Sequence, residues 1–368
     1  MNRSRLGELS EQGVSVWIDS LSRGMLETGE LERLLKEDAV VGVTSNPTIF
    51  QKAMADGNRY DEQLREVMKH EDDPTDIFLR LAIEDIKDAC DFLRQVWDEG
   101  GGQNGYVSLE VEPGLAYDRE HTLEQAMRLH EEVDRPNLFV KIPATEPGLG
   151  AIEDCIAQGK SINVTLIFSL QRYQAVVEAY VHGLERLVEA GGDPSAVASV
   201  ASFFVSRVDT EADRRLEEKG NQALQGKLAI ANAKLAYQHY LEAFSGPRWE
   251  ALATRGATPQ RCLWASTSTK NPAYRDVIYV EELIGRDTVN TMPAETIAAF
   301  QDHGEVRGET LLEGIEEARA LLDELRRAGV DYDDVVDTLE REGVQKFADS
   351  FEELLDGIRA KRAELAAA

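Results

Sequence analysis

Lys141 lies in the run LFVKIPATEPG, with Phe139 and Val140 before it and Ile142 and Pro143 after it. Taking an ammonium out of water is costly, so a lysine inside an apolar strand-like run asks for a reason. Burial disfavours the charged form of an amine, and a neutral amine attacks carbonyl carbon to form a Schiff base. A lysine at a strand end can also snorkel to water, and for an isolated lysine that reading is the commoner one. The company of Lys141 decides between them. Other strand-like segments end in Asp19, in Thr44, Ser45 and Asn46, in Glu110, and in Asn163 and Thr165. Further ends carry Ser202, Phe204, Ser206 and Arg207, then Ser266, Thr267, Ser268 and Lys270, then Asn290 and Thr291.

Schiff-base chemistry moves protons when the carbinolamine forms, when it loses water, and when a C–C bond breaks. Asp19 and Glu110 are the carboxyl groups placed for that work. The amides of Asn46 and Asn163 can hold substrate hydroxyls. Arg207 and Lys270, with Ser266 and nearby backbone N–H groups, suit a phosphate. Singly, each of these is ordinary: a carboxylate capping a turn, an asparagine before Pro47, a surface cation. Their weight comes from sharing one ring around one lysine. The six histidines fall in helices or loops, so a metal-dependent barrel chemistry is not expected and no metal is assigned. Neither GxSxG nor GxxxxGK[ST] occurs, which leaves serine hydrolase and P-loop readings without support.

These residues need elements to place them. Strands are predicted at 15–19, 40–46, 106–111, 138–144, 162–168, 198–206, 261–267 and 287–292, short, rich in Val and Ile, and bounded by Gly, Pro, Asn or Asp. The intervening segments carry helical periodicity. Eight strands alternating with helices predict a parallel sheet, and eight is the number that closes a (β/α)8 TIM barrel of about 250 residues. Extra length is expected in two helices between strands 2 and 3 and in an all-helical region after residue 294. The expectation is one barrel domain over residues 1–368, with 294–368 a helical part packed on it. A doubly wound open sheet is the alternative, but no GxGxxG follows the first strand.

The net charge of −28 speaks against nucleic acid and anionic membrane as partners. It also repels phosphates, so local cations must overcome it at any phosphate site. The acids concentrate in helical segments, as expected of solvated outer faces. No run of about 18 apolar residues suggests a membrane span, and the N-terminus has no apolar secretory region. Three separated cysteines, Cys90, Cys155 and Cys262, fit a reducing cytoplasm better than a disulfide framework or zinc site.

The block GVTSNPTIF (42–50) resembles the strand-two signature of the transaldolases, and FVKIPATEPGL (139–149) their active-site lysine signature. SLEVEPGLAYD (108–118), INVTLIFS (162–169) and SFFVSRVD (202–209) match further blocks in the expected order. Length and helical tail resemble the longer bacterial subclass. The resemblance implies a barrel and class I aldol chemistry without a cofactor. A dihydroxyacetone unit would pass from sedoheptulose 7-phosphate to glyceraldehyde 3-phosphate, giving erythrose 4-phosphate and fructose 6-phosphate, in the pentose phosphate pathway. It implies Lys141 as Schiff-base residue, Glu110 and Thr165 positioning a proton-shuttling water, and Asp19 assisting C–C cleavage. Asn46, Asn163 and Ser202 would bind donor hydroxyls and Arg207 phosphate. One departure stands out: shorter members carry an arginine just after the strand-seven serine, where this chain reads ASTSTKNP, so the second phosphate cation is assigned to Lys270. Two other functions remain open. A fructose-6-phosphate aldolase-type lyase would release free dihydroxyacetone, but those shorter relatives carry tyrosine where this chain has Phe204. A catalytically inactive binding barrel would have lost the lysine or the carboxylates, and all are present. Monomer and homodimer are equally compatible with the sequence.

Overall fold

The structure, a computed structural model, describes residues 4–55 and 57–367. Eight parallel strands close into a barrel in sequence order: β1 (Val14–Ile18), β2 (Val40–Val43), β3 (Val107–Glu110), β4 (Leu138–Pro143), β5 (Ile162–Ile167), β6 (Ser199–Phe204), β7 (Arg261–Ala265) and β8 (Thr288–Met292). Helices cover the outside, so the strands are buried on both faces and read as near-continuous apolar runs. The predicted barrel is closed, and the alternative open sheet is excluded, by the β1–β8 pairing, which runs in register from Val14–Thr288 to Ile18–Met292. Each strand lies within three residues of its sequence-based bounds.

Two expectations need correction. The span between β2 and β3 holds three helices rather than two: Pro47–Ala55, Asp61–Val67 and Pro74–Glu99. The region after residue 294 is not helical throughout. Helix Ala294–His303 is followed by a stretch at 304–314 with only one 3-10 turn, Thr310–Leu312, before helices Ile315–Arg327 and Tyr332–Ala367. Gly304, Gly308 and Gly314 punctuate that stretch, the last two with left-handed φ of 98° and 67°.

Close packing explains two glycines. A Cβ on Gly42 would sit 2.5 Å from the Trp17 ring, which fills the lower barrel beside Phe139 and Tyr106. A Cβ on Gly148 would sit 2.1 Å from the Pro143 carbonyl oxygen. Gly148 thereby lets helix Glu146–Ala157 start tight against the end of β4, with the Thr145 hydroxyl accepting from the Gly148 N–H as its cap.

The last helix, Tyr332–Ala367, crosses the C-terminal mouth of the barrel. At its start, the Tyr332 hydroxyl donates to Asn232 Oδ1 (2.7 Å) and accepts from the Leu170 N–H (3.0 Å). On the far side the Thr48 hydroxyl donates to Ser350 Oγ (2.8 Å), and Phe351 stands edge-on to Phe78 at 5.5 Å.

Candidate active site

Register fixes the site. Glu110 on β3 pairs with Lys141 on β4, Lys141 pairs with Asn163 on β5, and two residues on Pro143 pairs with Thr165. Alternation along a strand sends i and i+2 to one face, so these side chains form a layer inside the barrel. Lys141 is 5% exposed. Its Nζ donates to the Ser45 carbonyl oxygen at 2.9 Å and lies 3.0 Å from Glu110 Oε2. Among the described residues that Oε2 has no hydrogen-bond partner, so the contact is an ion pair whose angle makes no hydrogen bond. Thr165 Oγ1, fully buried, likewise has none.

A polar chain runs beneath. Asn163 Nδ2 donates to Ser108 Oγ (3.1 Å), and the Ser202 hydroxyl donates to Asn163 Oδ1 (2.7 Å). This holds the Asn163 amide in one orientation and ties β3, β5 and β6 together. Beyond Thr165 the β5 register shifts between Val164 and Ile167, and Leu166 takes φ of 59°. Such bulges re-aim side chains beside barrel sites.

Asp19 follows β1, half-buried at the mouth. Its Oδ1 accepts from the Thr44 hydroxyl at 2.8 Å, and Thr44 Oγ1 is 2.6 Å from Thr291 Oγ1. Burial pushes its carboxyl above the ordinary range, against the lowering pull of Lys141, the Thr44 hydrogen bond, Lys270 and Arg207. Glu110 is also raised, chiefly by burial and further by Asp19, with Lys141 opposing. Two carboxyls held above their usual range beside a buried amine are suited to proton transfer near neutrality.

The anion-binding candidates sit on the β6–β7 side. Arg207, half-buried, stacks over Phe204 (5.2 Å) and Phe347 (5.9 Å), and Phe204 packs on Phe168 at 5.1 Å. Among the described residues Arg207 forms no ion pair. Burial lowers its pKa, with Asp19 and Glu342 opposing, and a guanidinium so placed remains charged. Ser266 takes φ of 57° at the end of β7, its hydroxyl 2.9 Å from Ser206 Oγ. Lys270 is exposed, its Nζ donating to Ser268 Oγ at 2.6 Å. Partial desolvation of its ammonium and the neighbouring Arg207 lower its pKa. Asn46 is half-buried, and its Oδ1 accepts from the Ile49 N–H (3.0 Å), the turn role its place before Pro47 suggests. A cleft of about 760 Å3 opens at the other end of the barrel, around Tyr106, Phe139, Tyr240 and Arg261. The lysine, the carboxylates and the polar chain lie instead at the C-terminal ends, where barrel enzymes work.

A family model described as Transaldolase/Fructose-6-phosphate aldolase matches residues 16–358. The chain belongs to that family. Among relatives, a protein named Transaldolase from Frankia alni is 55% identical over 356 residues, 96% of each chain. One of the same name from Mycolicibacterium paratuberculosis is 51% identical over 95% of each chain. Transaldolase 2 of Streptomyces coelicolor is 48% identical over 98% of each.

Within this transaldolase-type barrel, the structure brings together Lys141, Glu110, Asp19, Asn163 and Ser202, with Thr165 in the neighbouring register. Phe204, Arg207, Ser266 and Lys270 form one rim, and Asn46 stands at the end of β2. Sequence reasoning missed Phe347. Its ring lies 6.0 Å from Lys141 Nζ and 5.9 Å from the Arg207 guanidinium carbon. A phenylalanine in an amphipathic helix reads as core, and no local signal says which surface it covers. The Ser45 carbonyl was missed too, because a backbone acceptor has no residue-type signature.

Proposed function

We propose that Lys141 carries the reaction as a Schiff base with the C2 carbonyl of a ketose phosphate. The chain is an enzyme, a transferase, as relatives named Transaldolase across nearly its whole length imply. The amine adds to C2, and loss of water gives an iminium. Asp19 takes the proton of the C4 hydroxyl as the C3–C4 bond breaks, and the bonding pair flows into the iminium to leave an enamine of dihydroxyacetone. The aldose phosphate leaves, a second aldose phosphate takes its place, and the steps reverse. Glu110 Oε2, ion-paired with Lys141 but without a hydrogen-bond partner, and the buried Thr165 Oγ1, likewise without one among the described residues, suit a water that carries protons between carbinolamine and solvent. Asn46, Asn163 and Ser202 hold the hydroxyls of the donor. Arg207, Ser266 and Lys270 take the phosphate, with Arg207 able to grip two oxygens.

The donor and acceptor in this reading are sedoheptulose 7-phosphate and glyceraldehyde 3-phosphate, yielding erythrose 4-phosphate and fructose 6-phosphate. Phe204 supports transfer over release of free dihydroxyacetone, since it offers no hydroxyl to direct water at the enamine. All the named residues come from one chain, so the reading holds for a monomer or a homodimer. A cytoplasmic setting belongs to it, in keeping with three buried thiols that form no bridge.

The observation that carries the reading is the buried pair of Lys141 and Glu110 at 3.0 Å. Incubation with fructose 6-phosphate and borohydride, followed by mass mapping, should place the adduct on Lys141 alone. Lys141→Ala should fold and lose activity by several orders of magnitude, because the covalent route is gone. An adduct on Lys160 or Lys270 instead would refute the assignment.

A further inference from the structure

We infer that Lys346, on the helix crossing the barrel mouth, is a further phosphate-binding cation that closes over the group held by Arg207 and Lys270. The inference rests on the reading above and extends it to a residue outside the barrel strands.

Placement comes first. The helix is fixed at both sides of the mouth by Tyr332 and Ser350, so its middle is held over the site. A Cβ on Gly343 would lie 3.1 Å from Leu166 and 3.3 Å from Phe168, so the helix backbone approaches the rim closely. Phe347, the next residue after Lys346, already faces both Lys141 and Arg207.

Charge is the second, independent argument. The helix is acidic on either side, with Asp333, Asp334, Asp337, Glu340 and Glu342 before the mouth and Asp349, Glu352, Glu353 and Asp356 after it. Over 343–348, GVQKFA, the only charge is Lys346. In a chain with 68 acids and 40 lysines and arginines, most of the described cations hold an ion pair, and at this rim Arg207 and Lys270 do not. Among the described residues Lys346 likewise forms neither an ion pair nor a hydrogen bond. Asp349, one turn on, accepts from Gln345 instead. The groups acting most on Lys346 are like charges: Arg207 first, then, after burial, Lys52, and they lower its pKa. Lys346 in turn acts on Lys270. Gathering unpaired cations costs free energy that a bound anion offsets, and the exposed Lys346 and Lys270 can swing toward an anion beside the half-buried Arg207. The anion that fits is a phosphate monoester: Arg207 supplies the planar fork, and the lysines supply point charges from other directions.

Two variants separate binding from mere support of the helix. Lys346→Met keeps the stem and removes the charge; Lys346→Arg restores a cation. Titration with inorganic phosphate as probe should show Lys346→Met binding it roughly three- to tenfold more weakly than wild type, the scale of one partly exposed charge contact. KM for fructose 6-phosphate should rise by a similar factor with kcat within about twofold, and Lys346→Arg should recover most of both. Turnover of unphosphorylated fructose and the thermal midpoint should not move. Phosphate affinity unchanged in Lys346→Met, while Arg207→Ala loses it, would put Lys346 outside the subsite and overturn the inference. So would an equal loss for fructose and fructose 6-phosphate, or a wild type that binds no phosphate. The Schiff-base reading fails by a different measurement, the absence of a borohydride adduct on Lys141.

Discussion

Glu110 is pulled two ways. Burial and Asp19 favour its protonated form, while the Lys141 ammonium 3.0 Å away favours the carboxylate. A carboxyl so balanced can both give and take a proton in one cycle. Glu110→Gln keeps the shape and loses that exchange. Its kcat should fall roughly 10²- to 10⁴-fold, the usual contribution of a positioned acid–base group, with little change in thermal midpoint. A kcat within tenfold of wild type would remove Glu110 from the proton path. At this scale much was legible, because type and position both carry signal: a lysine in an apolar run, and acids and amides at strand ends. Side-chain direction was not. Thr145 and Asn46 share the same strand ends, yet the Thr145 hydroxyl caps its helix at Gly148 and the Asn46 carbonyl oxygen caps a turn at Ile49. Asn163 is instead locked between Ser108 and Ser202, through partners 55 and 39 residues away in sequence.

The helix Tyr332–Ala367 shows where elements outrun sequence. Its helicity was legible in periodicity, but its docking was not. Its contacts run to Thr48, Phe78, Leu166 and Asn232, far off in sequence, and its many exposed acids resemble a solvated surface. The barrel strands were easier, because burial on both faces leaves uninterrupted Val and Ile runs. In the reaction proposed above, Phe347 over Lys141 would shield the enamine from water during exchange of aldose phosphates. Phe347→Ala should destabilise the fold by about 3 kcal/mol or more, since it deletes a buried ring. It should also raise the share of dihydroxyacetone released free rather than transferred, because protonation and hydrolysis of the enamine compete with the second aldose. Phe347→Leu, which keeps most of the volume, should restore transfer. Product analysis at fixed acceptor concentration decides it, and an unchanged partition would mean that the helix does not guard the intermediate.

For the whole molecule, the net charge of −28 sets how stability responds to pH. Two populations of carboxyl act in opposite senses. Acids at the surface gripped by arginines, such as the exposed Glu178 and half-buried Glu185 on Arg248, are held below their ordinary range. Their contribution is present above the unfolded value near 4 and is lost only as pH falls through their lower folded values. Buried acids behave the other way. Asp209, on helix Ser206–Glu218, is pushed up to about 7 by burial, although it accepts hydrogen bonds from the Ala229 N–H and the Tyr279 hydroxyl, both at 2.7 Å. Asp19, Glu110 and Asp85 are raised for the same reason. Between the unfolded value near 4 and the folded value near 7, the folded chain holds a proton that the unfolded chain has released. Stability contributed by Asp209 therefore rises as pH falls through that window. Relief of repulsion among 28 excess negative charges acts in the same direction. The thermal midpoint should accordingly climb from pH 8 to about pH 5, then drop below about pH 4 as the surface ion pairs protonate. Asp209→Asn tests the buried part directly. An amide can accept from the Ala229 N–H and donate to the Tyr279 oxygen, so both contacts survive without a charge to bury. The variant should match wild type near pH 4 and exceed it at pH 8, by on the order of a few kcal/mol for a shift of this size. Unfolding curves of the two proteins across pH 4–8 give the answer: a constant difference would mean that Asp209 does not change its protonation on folding, and that self-repulsion alone shapes the acid side of the profile.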